Sequence, residues 1–171
     1  FVHRPSERSE RTSLVPRAVR EVHVPHFGLM DEKKLGPVEG PMMRARLHIR
    51  AGKRRLRQGK IAAGIVTLYD ALEGAMKSYV ADEGHRAQLP AGAGDDRNDE
   101  KTLYSVLVRS GVLDGAFDFD AFERLVETAL HEEVPGFEYR DLLAGIESVM
   151  IQLGVIPFDE SSLPPEDPKT F

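Results

Sequence analysis

Apolar residues recur through the middle of this chain with the alternation of a helix that hides one side. Met42, Ala45, Ile49, Gly52, Leu56 and Gly59 are separated by 3, 4, 3, 4 and 3 positions, which places them on one stripe of a helix that begins near Pro41. Small residues on that stripe let a second helix approach closely. The pattern breaks at Gly59 and resumes at Ile61, Ile65, Leu68, Leu72, Ala75 and Tyr79. This predicts a second amphipathic helix over 60–82, antiparallel to the first across a short turn.

Residues 83–97 combine Pro90 with Gly84, Gly92 and Gly94 and read as a flexible loop. Asn98 or Asp99 is placed to cap a third helix that carries Leu103, Val106 and Leu107 inward and stops at Gly111. Asp118 or Asp120 caps a fourth, with Phe122, Leu125, Val126, Ala129 and Leu130 on its apolar side and Pro135-Gly136 beyond it. A fifth, over about 138–153, carries Tyr139, Leu142, Leu143, Ile146, Val149, Met150 and Leu153 and ends at Gly154. Both Gly111-Val112-Leu113 and Gly154-Val155-Ile156 look like one stop signal used twice. Strand signals are absent, so the expected fold is all-α, a bundle of about five helices built from antiparallel hairpins.

The flanks differ from this core. Residues 1–40 show no sustained period, and Pro5, Pro16, Pro25 and Pro37 interrupt any helix attempted there. They are expected to form a flexible, disordered arm. They lack the apolar run of a secretory signal, and Glu7, Glu10 and Glu21 argue against a transit peptide. Because the chain opens on Phe1, the expectation is a fragment or a start at Met30. Residues 158–171 are acidic and rich in proline, and are expected to be an exposed tail. The domain organisation is therefore an arm at 1–40, a bundle at 41–157 and a tail at 158–171.

Charge changes the picture more than composition does. The net charge of −5 conceals a segment, residues 41–60, with eight cations and no acid, followed by 61–171 with eight cations and 22 acids. Within the basic segment Arg44, Arg50, Lys53, Arg54 and Arg57 are the candidate partner-binding residues. Two readings of such asymmetry stay open: a surface for an acidic partner or nucleic acid, or a helix that docks on its own acidic body. No aromatic residue lies in the segment, so nucleic-acid contact would be limited to sequence-independent binding of the backbone and is not favoured. An acidic protein partner fits the same cations.

Gly52, Gly59, Gly64, Leu68 and Ala71 follow a small, small, small, large, Ala skeleton that resembles a single tetratricopeptide repeat over about residues 45–78. The resemblance implies a hairpin that stacks on neighbours and offers a groove to peptides, hence an interaction module. A second likeness is carried by Arg124 and His131, separated by six residues on the fourth helix. This spacing is similar to that of HEPN domains, helical bundles of which many cut RNA. It implies that His131 would move the 2′-hydroxyl proton while Arg124 stabilised the charged phosphate.

Other chemistry is sparse. With no cysteine there is no thiolate metal site, disulfide or thiol nucleophile, and the chain suits a reducing, cytoplasmic setting. His23 and His26 lack a nearby carboxylate pair and read as incidental. Asp114, Asp118 and Asp120 lack the glycine and terminal glutamate of a calcium loop. No apolar run reaches the roughly 20 residues of a membrane span. The expectation is a non-catalytic interaction or accessory module without cofactor or metal, using the basic helix and the hairpin groove, with a protein partner. A homodimer through the glycine stripe and the RNA-directed HEPN reading are the alternatives.

Overall fold

The computed structural model describes residues 32–90 and 99–171. Among these residues six helices run in the order α1 (Glu32–Arg57), α2 (Ile61–Ala81), α3 (Glu83–Arg86), α4 (Glu100–Arg109), α5 (Phe119–His131) and α6 (Arg140–Gln152). Two 3-10 turns follow, at Glu160–Ser162 and Pro168–Thr170. No strand occurs among the described residues, and the fold is all-α. No helix there is long and apolar enough to cross a membrane.

The first helix begins nine residues earlier than the position expected from Pro41, so residues 32–40 belong to it rather than to an arm. The rest of the arm, 1–31, lies outside the described residues, as do Asn98 and residues 91–97 of the expected flexible loop, whereas Glu83–Arg86 at the start of that loop fold as the short helix α3, capped by Asp82. Gly36, at φ 88° and ψ −178°, breaks the backbone and restarts the helix with Pro37 in its first turn. A proline there forfeits no helical hydrogen bond, which is why the sequence signal of a breaker misleads.

A repeated device ends three helices. Gly59, Gly111 and Gly154 adopt left-handed backbone at φ 77°, and the next amide reaches back five residues: Lys60 N to Arg55 O at 3.0 Å, Val112 N to Leu107 O at 3.0 Å, Val155 N to Met150 O at 2.9 Å. Only glycine enters that conformation without a Cβ penalty. At the other ends, Asp99 accepts from the Lys101 and Thr102 amides of α4, and Asp118 accepts from the Ala121 amide of α5. Each cap satisfies donors the helix leaves unbonded.

α2 is the centre of the bundle and packs on α1, α3, α4, α5 and α6. It is buried on more than the one predicted stripe, because small residues such as Ala62, Gly64, Ala71, Gly74 and Ser78 cover its remaining sides. At the α1–α2 seam a Cβ on Gly64 would stand 2.7 Å from Leu56 Cδ2, and one on Gly52 2.7 Å from Leu68 Cδ2. The glycine stripe offered above as a homodimer seam is therefore covered by α2. Against the opposite side of α2, Tyr69, Tyr104, Phe117, Phe119 and Phe122 form an aromatic cluster, with Tyr104 and Phe119 stacked at 4.9 Å. Tyr104 also donates its hydroxyl to the Phe117 carbonyl at 2.7 Å. Burying each such ring is worth roughly 1.5–3 kcal/mol, so this cluster ties the α4–α5 connection to the hairpin.

Candidate interaction surfaces

The basic segment folds as the second half of α1, and its cations are engaged on two sides. Arg44 meets Glu73 of α2 at 3.3 Å, and Lys53 meets Glu147 of α6 at 3.7 Å. Glu73 is shared with Lys77 at 2.5 Å. Arg55 donates to the Thr67 hydroxyl, which itself donates to the Ala63 carbonyl. Arg57 is exposed and pairs with no acid among the described residues. Of the five candidate cations, then, Arg44 and Lys53 hold the helix to its own acidic body.

Arg50 and Arg54 face the segment after Pro157. Glu166 lies 3.0 Å from Arg54 Nε and 3.7 Å from Arg50 Nε, while Arg50 donates to the Pro164 carbonyl at 2.6 Å. Arg54 sits over the Phe171 ring at 4.4 Å and Arg46 over the Phe158 ring at 5.6 Å. Leu163 is buried, and on the same side of α1 so are Leu47 and Ala51. The expected exposed tail is mostly exposed residue by residue, yet Leu163, Glu166 and its aromatic ends lie along α1. The electrostatic match is closer than the hydrogen bonding: Glu166 Oε1, Arg46 Nε and Arg50 Nε are buried without a hydrogen-bond partner.

A cavity of about 590 Å³ opens between α5 and α6. Phe117, Phe122, Leu125, Phe137, Leu142 and Val149 supply its apolar walls, and Asp114, Asp118 and Asp141 its carboxylates. No cation among the described residues lines it. Its edge is held by side-chain bonds, since the Asp114 amide donates to Gln152 Oε1 at 2.8 Å and Gln152 Nε2 donates to Ser148 Oγ at 3.1 Å. Gly145 is needed in the floor, where a Cβ would stand 2.8 Å from the Phe117 ring. Phe117 and Phe137 sit outside the helices, and helical periodicity could not have assigned them to a common surface.

Arg124 and His131 are both exposed on α5 and neither lines that cavity. His131 Nε2 lies 3.1 Å from the Glu127 carboxylate, which stands between the two positions in the chain. Three titratable groups along the hairpin, His48, Tyr69 and Asp70, are displaced from their ordinary behaviour, and burial pushes the Tyr69 hydroxyl up. Burial pushes the His48 imidazole below the usual histidine range, with Nδ1 2.8 Å from the Arg44 carbonyl oxygen, and burial pushes the Asp70 carboxyl up.

Compared with known protein families, curated proteins and solved structures, the chain matches none. The tetratricopeptide and HEPN likenesses therefore rest on their residues alone.

Proposed function

We propose that this chain is a non-catalytic protein-interaction module that receives a segment of a partner in the α5–α6 cavity. The observation that carries the reading is the cavity itself: open, aromatic, and bordered by three carboxylates with no cation among the described residues. Concave apolar sites of several hundred Å³ with a few oriented polar groups are the usual form of a binding pocket. Aromatic walls supply the contact area that dominates interface energetics, and the acids select for basic flanks on the incoming chain.

The test is selection of peptides from a random displayed library on the wild-type chain and on A121R, which puts a long cation at the groove edge. The expected result is a consensus of apolar anchors flanked by Lys or Arg, lost on A121R. No consensus, or one indifferent to A121R, overturns the reading. The RNA-directed alternative is decided by incubating labelled RNA with the wild type and with R124A/H131A. Cleavage by the first and not the second would replace the interaction module by a nuclease.

A further inference from the structure

The cations of α1 that face away from the bundle already hold a ligand, and that ligand is a part of the same chain. Residues 158–171 place one carboxylate and two rings against Arg46, Arg50 and Arg54, and bury Leu163. The remaining side chains of the segment are largely exposed, and its acids Asp159 and Glu160 make no ion pair with α1. What holds it is a short set of anchors: Leu163, the Glu166 pairs with Arg50 and Arg54, the Arg50 hydrogen bond to the Pro164 carbonyl at 2.6 Å, and the rings of Phe158 and Phe171. Glu166 Oε1 and Arg50 Nε are desolvated against each other at 3.7 Å without a hydrogen bond between them. Buried polar atoms left in that state weaken an interface relative to a ligand that satisfies them.

We infer that this face of α1 is a receptor for acidic, proline-containing protein segments, and that residues 158–171 are its resting occupant, displaced when such a segment binds. The chemistry required of the partner is read from the occupant: a carboxylate to bridge Arg50 and Arg54, a leucine-sized apolar side chain about three residues before it, and an aromatic ring to lie under a guanidinium. The occupant follows α6 directly and is confined near its site, so its effective concentration is on the order of millimolar. A weak internal contact then suffices to keep the face covered against a competitor at lower concentration.

The experiment uses the full chain and a fluorescein-labelled peptide of residues 158–171, followed by anisotropy. Four proteins are compared: wild type, the loosened variants L163A/E166A and E166K, and L163A/E166A carrying R50A/R54A. Covering the face lowers apparent affinity by the fraction of molecules that are open, so the loosened variants should bind the peptide at least about tenfold more tightly than wild type. Adding R50A/R54A should abolish the gain, and a scrambled peptide of the same composition should show none. Circular dichroism and thermal melts confirm that each variant is folded, and E166K, which keeps Leu163, serves if the double variant is not. Equal peptide binding by wild type and folded loosened variants overturns the inference. So does a gain that survives R50A/R54A or extends to the scrambled peptide, and so does preferential capture of labelled RNA by the loosened variants.

Discussion

Replacing Gly74 by alanine tests how closely the two long helices are packed. Gly74 has ordinary helical backbone, so on propensity alone G74A should stabilise α2 by about 1 kcal/mol. The new Cβ, however, would stand 2.8 Å from the Pro41 carbonyl oxygen, 3.1 Å from the Ala45 amide nitrogen and 3.4 Å from Ala45 Cα. All three atoms are backbone and cannot turn aside as a side chain does, so α1 and α2 must separate locally. Overpacking of this kind costs about 1–3 kcal/mol, and the rigid partner places the cost in the upper half of that range. The net expectation is destabilisation by about 1–2 kcal/mol, or a fall of roughly 2–8 °C in Tm for a chain of this size. G52A is the comparison, because there the obstruction is the Leu68 δ-methyl at 2.7 Å, the end of a side chain, and the loss should be smaller. Thermal and urea melts of the three proteins give the answer. A G74A protein as stable as wild type would refute the seam as described.

Two further outcomes follow from the caps and the buried titratable pair. D118A should lower stability by about 1 kcal/mol in urea melts, since it frees the Ala121 amide, whereas D118N should stay within about 0.5 kcal/mol because asparagine caps equally well. His48 titrates below its ordinary value in the fold, so the unfolded chain takes up a proton that the fold refuses, and stability present above the ordinary value of about 6.5 is lost as pH falls below it. Tm measured from about pH 7.5 down to 5.5 should fall less steeply in H48Q than in wild type; parallel profiles would contradict this. Asp70, held above the usual carboxylate range, acts in the opposite sense at lower pH, where the fold takes up its proton first.

The helices were legible because their signals are local. Leu68 and Leu72 repeat within one helix, Asp99 and Asp118 stand at the turns they cap, and Gly111 and Gly154 stop the helices they follow. The start of α1 was misread because Pro37 counts as a breaker unless it is known to sit in a first turn, and that depends on the backbone of Gly36. The basic character of α1 was legible as a count. Which acids answer it was not, since Glu73, Glu147 and Glu166 come from three separate segments and only tertiary packing selects them from the chain's 28 acids. The α5–α6 cavity was legible in part: Phe122, Leu125, Leu142 and Val149 were on predicted apolar faces, while Phe117 and Phe137 joined them through connections that carry no period.

The three residues Gln58, Gly59 and Lys60 between α1 and α2 also set an order of events during synthesis. A hairpin closed by so short a link gives up little entropy to form, and its contacts are near in the chain. It is complete in sequence at Ala81, whereas Glu166 leaves the ribosome some 85 residues later, roughly 4–17 s at ordinary elongation rates. For that interval Arg50 and Arg54 are without the carboxylate that later covers them. Any acidic segment present in the nascent complex meets the arginine face before the chain's own does.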